Sequence, residues 1–83
     1  MLGRRKFPKL MTLVAVEWVD ITSTVNANLA ESRPAKCTTT GHLVKRTDDF
    51  IVIATSIFED ADPDINGDFL AIPLGVLLKI RRL

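Results

Sequence analysis

The sequence predicts a mainly β chain: five short strands forming a small barrel, with at most one short helix in the loop after the first strand. Three observations carry this. β-Branched and apolar residues recur with a period of two in several short windows, which is the strand period. Polar turn formers such as Thr47-Asp48-Asp49 and Asn66-Gly67 separate those windows. The chain has 83 residues, 47% hydrophobic and 25% charged, which suits one marginal hydrophobic core and leaves no material for a second.

Residues 1–10 read as a flexible basic arm, since Gly3, Pro8 and the cations Arg4, Arg5, Lys6 and Lys9 dilute its few apolar side chains. Met11 is an equally plausible start, so the single domain is expected to span residues 11–83. The arm is either a solvated tail or a segment that touches phosphate or a neighbouring subunit. From Thr12 to Val19 the first strand puts Val14, Val16 and Trp18 on one face. Asp20 to Pro34 is a long loop whose only helical prospect is Val25 to Glu31, weakened by Asn26 and Asn28 and stopped by Pro34. Lys36 to Arg46 forms a second strand that is expected to bend or bulge at Gly41.

After the Thr47-Asp48-Asp49 turn, Phe50 to Phe58 is apolar on both faces, with Phe50, Val52 and Ala54 on one and Ile51, Ile53 and Ile57 on the other. A strand of that kind belongs at the centre of a sheet or against another subunit. Asn66-Gly67 signals a hairpin turn into a fourth strand at Phe69 to Ile72. Pro73-Leu74-Gly75 leaves room only for a 3₁₀ step before the last strand, Val76 to Arg82, with Val76, Leu78 and Ile80 on one side. This order of elements describes an SH3-like or Sm-like small barrel. An open α+β sheet with one helix is the competing architecture.

Composition excludes several classes of function. A net charge of +1 does not announce a nucleic-acid binder. One cysteine and one histidine provide neither an internal disulfide nor a pair of zinc ligands, and they suit a reducing cytoplasm. No apolar run approaches the ~20 residues that cross a bilayer, so no membrane span is expected. Arg4, Arg5 and Lys6 ahead of Leu10 to Val16 imitate a signal peptide, but no small-residue cleavage site follows.

Cys37 and His42 are the only nucleophile and base on offer, and their odd separation along one strand points them to opposite faces. No catalytic residue is expected. Asp62-Pro63-Asp64-Ile65-Asn66-Gly67-Asp68 matches the first half of a calcium-binding EF-hand loop, yet Pro73 stands where a bidentate glutamate should close it. No cofactor or metal is therefore expected, and the segment reads as a solvated acidic loop. Charge is nevertheless layered, with cations at both ends and Glu59, Asp60, Asp62, Asp64 and Asp68 in one loop. Basic ends of one protomer can then meet the acidic loop of the next, or gather to attract phosphate. Lys36, His42, Lys45 and Arg46, with Arg81 and Arg82 behind them, are the candidate ligand surface. Trp18 and Phe50 are candidates for base stacking if they are exposed, and ordinary core residues if they are not.

Three stretches carry a likeness to known proteins: Val14-Ala15-Val16-Glu17-Trp18-Val19-Asp20, then Gly41-His42-Leu43-Val44 running into Asp49-Phe50-Ile51-Val52-Ile53-Ala54, and Ile72 to Ile80. In these the chain resembles a group of short phage-encoded proteins of unassigned function with an Sm-like or SH3-like barrel. The resemblance implies a ring-like homo-oligomer that binds RNA or a nucleotide, including a nucleotide signal that it sequesters. It implies no particular binding residue, because the chain lacks the paired RNA-binding signatures of cellular Sm proteins and begins with a strand where those begin with a helix. The expectation is a non-enzymatic binding protein acting in the host cytoplasm. The alternative is a module that docks on a host protein through a strand edge or the loop at 20–35, with no nucleotide.

Overall fold

The computed structural model describes residues 7–21, 28–58 and 66–83. They form one antiparallel sheet of five strands: β1 (Leu13–Asp20), β2 (Ala35–Arg46), β3 (Phe50–Phe58), β4 (Asn66–Pro73) and β5 (Leu77–Arg82). The sheet runs β4-β3-β2-β1-β5 and is open, so β4 and β5 are its end strands. No α-helix occurs among the described residues. The loop predicted to hold a helix shows a 3₁₀ turn at Leu29–Glu31, opened by the Asn28 side chain accepting from the Ala30 amide at 3.1 Å. Residues 22–27, which include the expected start of that helix at 25–27, lie outside the described residues.

Directly paired residues of an antiparallel sheet share a face, so the registers sort every strand residue onto one of two sides. Val14, Val16, Leu43, Ile51, Ile53 and Ile72 point inward, and none is more than 1% exposed. Leu74 and Leu77 complete the core, while Trp18, Leu70, Ile80, Val76 and Phe7 pack around it half-buried. The first strand thus presents the expected Val14, Val16 and Trp18 face. Burying β-branched side chains on one side of a pleated sheet accounts for these strand residues.

Three irregularities depart from plain alternation, and each re-aims a side chain. No bulge falls at Gly41 in the pairing with β1, because β1 and β2 pair without interruption from Leu13–His42 to Asp20–Ala35. The discontinuity falls at Val44 instead, between the Leu43–Ile53 and Lys45–Val52 pairs. Gly41 is required for space: a Cβ there would lie 2.7 Å from Ile53 Cγ2 and would also strike the Ala54 carbonyl. A second shift between Ala54 and Ser56 turns Ile57 onto the face of Phe50, Val52 and Ala54, correcting its assignment to the side of Ile51 and Ile53. The third skips Leu78, so Leu77 and Ile80 face inward while Leu78 is 46% exposed and leaves the predicted Val76, Leu78 and Ile80 face.

Asn66-Gly67 is not a turn. Both residues belong to β4, opposite Phe58 and Ile57, and Gly67 has no positive φ. Here glycine serves the close approach of the Ser56 carbonyl, against which any Cβ would collide. The fourth strand consequently starts three residues earlier than predicted, at Asn66 instead of Phe69, and the acidic residues Glu59 to Asp64 lie outside the described residues.

The Thr47 turn forms as expected. Its hydroxyl accepts from the Asp49 and Phe50 amides at 3.1 and 3.0 Å, and its amide donates to the Phe50 carbonyl at 2.9 Å. From the same turn the Asp49 carbonyl accepts from the Leu74 amide at 2.9 Å, tying the 3₁₀ step Leu74–Val76 to the β2–β3 corner. Ahead of β1, Met11 adopts φ 69° and donates to the Leu43 carbonyl at 2.6 Å, which holds the approach to the first strand along β2.

Candidate functional site

The two faces differ in chemistry as well as in burial. On the outer face, β1 contributes Leu13, Ala15, Glu17 and Val19, paired in turn with His42, Thr40, Thr38 and Lys36 of β2. On the other side of β1, Lys79 lies opposite Glu17 and Arg81 opposite Ala15. Beyond β2, His42 pairs with Ala54 and that with Phe69, while Lys45 pairs with Val52 and that with Ala71. Lys36, His42, Lys45, Lys79 and Arg81 are therefore on one side of one sheet. Glu17 is the only strand acid of that face among the described residues, and its Oε1 lies 4.0 Å from Lys36 Nζ.

Of the sequence candidates, Lys36, His42, Lys45 and Arg81 come together in this way. Arg46 and Arg82 do not join them, since Arg46 pairs with Ile51 and Arg82 with Val14 on the inner side. Arg46 has a structural contact there, its guanidinium 5.5 Å from the centre of the Phe7 ring. Lys79 is a cation of the outer face that the sequence reading noticed but did not select. Its outward place follows from alternation about the inward Ile80, and the skipped Leu78 changes only the sides of Leu77 and Leu78.

The two proposed stacking residues also part company. Trp18 is half-buried against the core, and its indole N–H donates to Thr39 Oγ1 at 3.0 Å. Phe50 lies outward and half-buried, with the Lys45 ammonium 5.7 Å from its ring centre, outside the core cluster. The aromatic that sequence reading missed is Phe69, 46% exposed on the outer face of β4. A shallow groove of about 220 Å³ is lined by Phe69, Val52, Val44 and Lys45. Next to it, Asp49, Phe50, Ala71 and Pro73 line another of about 340 Å³. The alternation of Phe69, Ala71 and Pro73 against Leu70 and Ile72 holds the signal for this surface, and the expected fourth strand at Phe69 to Ile72 was given no faces.

Cys37 and His42 take opposite faces, Cys37 beside Trp18 with its thiol 3.8 Å from the Ala35 carbonyl and His42 beside Leu13. Among the described residues no three His, Cys, Asp or Glu side chains gather as metal ligands. Asn66 and Asp68, two of the oxygen donors in the calcium-like motif, belong to a paired strand, and the rest of that motif lies outside the described residues. No helix among the described residues is long and apolar enough to cross a membrane. At the far end of β1 a separate groove of about 390 Å³ is lined by Val19, Asp20, Ile21, Ser32, Arg33, Pro34 and Val76. Compared with known protein families, curated proteins and solved structures, the chain matches none.

Proposed function

We propose that the chain is a non-enzymatic, phage-type binding protein of the SH3-like or Sm-like small-barrel class, whose ligand carries phosphate, as RNA or a nucleotide does. The observation that carries this reading is the gathering of Lys36, His42, Lys45, Lys79 and Arg81 on one sheet face that holds a single acid, Glu17, among its described strand residues. A nearly neutral chain can attract polyanions only if its charges are segregated, and here they are. The barrel class is supported by the strand order, by a 12-residue β2 whose two ends pair with different neighbours, and by the 3₁₀ step before β5. The chain then acts in the host cytoplasm, and sequestering a nucleotide signal is one use of such a face.

Self-assembly is supported by the two end strands. β5 carries Lys79, Arg81 and Arg82, whereas β4 carries Asp68 and follows the acidic stretch Glu59 to Asp64. Unlike ends of opposite charge favour head-to-tail joining over joining like to like, and head-to-tail contacts close into rings where the rotation between neighbours allows it. Native mass spectrometry tests both parts: a closed oligomer with additional nucleotide-sized mass is expected, and a bare monomer overturns the ring. Binding that ignores salt overturns the phosphate reading, because displaced counterions must make affinity fall with salt.

A second reading, docking on a host protein without any nucleotide, is favoured by the groove beside Ile21, which is 89% exposed; Leu29 in the same loop is 86% exposed. Large apolar side chains at that exposure suit a partner surface. Recovery of one stoichiometric host protein that is lost on changing Ile21→Ser, with no nucleic acid recovered, decides for it.

A further inference from the structure

We infer that the ligand is an extended single-stranded nucleic acid laid along the outer face of β2, and not a free nucleotide; this rests on the phosphate-binding reading above. The cations are strung out. Lys36 and Lys45 are nine residues apart, about 30 Å of extended strand at ~3.3 Å per residue, with outward Thr38, Thr40 and His42 between them. Lys79 and Arg81 run alongside on β5, separated from β2 only by β1.

A free nucleotide is usually held in a concave pocket where several polar groups converge on one phosphate cluster. The two grooves among the described residues of the outer face offer no such convergence. One contains Lys45 as its single cation, and the other contains no cation and one carboxylate, Asp49, which itself opposes a phosphate cluster. Hydroxyls and cations recurring on alternate residues of a strand instead suit a ligand that is itself a repeating chain of phosphates.

Beside this track lies apolar surface of the right kind for bases. Phe69 is 46% exposed on β4, Phe50 lies outward on β3, and Val52 and Ala71 fill the row between them. Phosphates over β2 and β5 would leave bases to stack toward β3 and β4. Stacking on aromatic rings tolerates any base, so the face would discriminate little among sequences.

The test is fluorescence anisotropy with labelled oligouridylates from dinucleotide to dodecanucleotide, each at low and moderate salt, with uridine monophosphate as competitor. Affinity is expected to climb with length, and the salt dependence to steepen, until the face is filled. Phe69→Ala should weaken the longest ligand about ten-fold without altering the salt slope. Lys45→Ala should lower that slope by about 1. Both side chains are outside the core, so the melting midpoint should hold for each. Equal affinity and slope for the monophosphate and the longest oligomer would overturn this inference and leave the phosphate reading standing. Failure of every uridylate, long or short, to bind would remove both.

Discussion

The inner and outer faces of this sheet are built from the same five strands, yet they follow different rules. Inward, branched side chains fill the centre and leave at most 1% of their surface exposed at Val14, Val16, Leu43, Ile51, Ile53 and Ile72. Outward, burial belongs to small residues, Ala15 at 3% and Ala54 at 1%, while longer side chains around them keep contact with water. One face is specified by volume and the other by charge. Stability should therefore follow substitutions on the inner face, and ligand affinity those on the outer.

The largest test of that division is Leu43→Ala. Leu43 is fully buried between Ile53 and the Thr12 carbonyl, which accepts from its amide at 3.0 Å. Truncation removes transfer energy and leaves a cavity, at a cost of about 2–5 kcal/mol. For a domain this small that approaches the whole margin of stability. Urea denaturation should show the midpoint collapse, and any variant that stays folded at low temperature should still bind with wild-type affinity.

Gly41→Ala comes next, and it sits where the faces communicate. The added Cβ must push on Ile53 inside the core and on the backbone of Ala54, whose side chain is outward. Overpacking of this type costs about 1–3 kcal/mol. If the division of labour is real, ligand affinity changes less than stability does. Loss of binding at full stability would show instead that strand spacing at Gly41 sets the outer face.

Thr39→Val removes the hydroxyl that accepts the Trp18 indole N–H. The pair is half-buried, so the expected loss is about 1 kcal/mol, since one donor is left unpaired without full desolvation. Tryptophan fluorescence should shift along with the urea midpoint. An unchanged midpoint would place Trp18 outside the set of side chains that hold the inner face.

These effects also show which parts of the molecule could be read in advance. Strand existence and the turn at Thr47 followed from local chemistry, because alternation and hydroxyl capping act within a few residues. Three features did not: the bulges at Val44, Thr55 and Leu78. Each is a mismatch between neighbouring strands, so neither strand alone records it. The first of them bears directly on the site. The jump at Val44 puts Lys45 outward and Arg46 inward, whereas Lys79 and Arg81 outward and Arg82 inward follow from plain alternation about Ile80, the jump at Leu78 changing only the sides of Leu77 and Leu78. Charge clusters were therefore legible in sequence, and so was the division of Lys79, Arg81 and Arg82, whereas that of Lys45 and Arg46 was not. Glycines misled for a related reason, since Gly41 and Gly67 serve close approach of a neighbouring strand, where they were read as a bulge or bend and a turn.

The smallest expected effect on stability is also the sharpest test of the comparison. Glu17 is the only acid among the described strand residues of the outer face, and it meets Lys36 at 4.0 Å, with the lysine side chain 68% exposed. An ion pair that open to solvent contributes about 0–0.5 kcal/mol. Glu17→Gln keeps the shape of the side chain and removes the charge, so the urea midpoint should scarcely move. Binding should respond in the opposite sense: without the carboxylate, Lys36 is released and local repulsion of phosphate is relieved, so affinity rises at low salt. The gain should fade as salt increases, because the relieved repulsion acts through solvent and is screened there. A substitution that leaves folding alone and tightens binding is what two energetically separate faces require. A fall in stability of more than about 1 kcal/mol, well beyond what an exposed pair supplies, would mean that the outer face also holds the fold together.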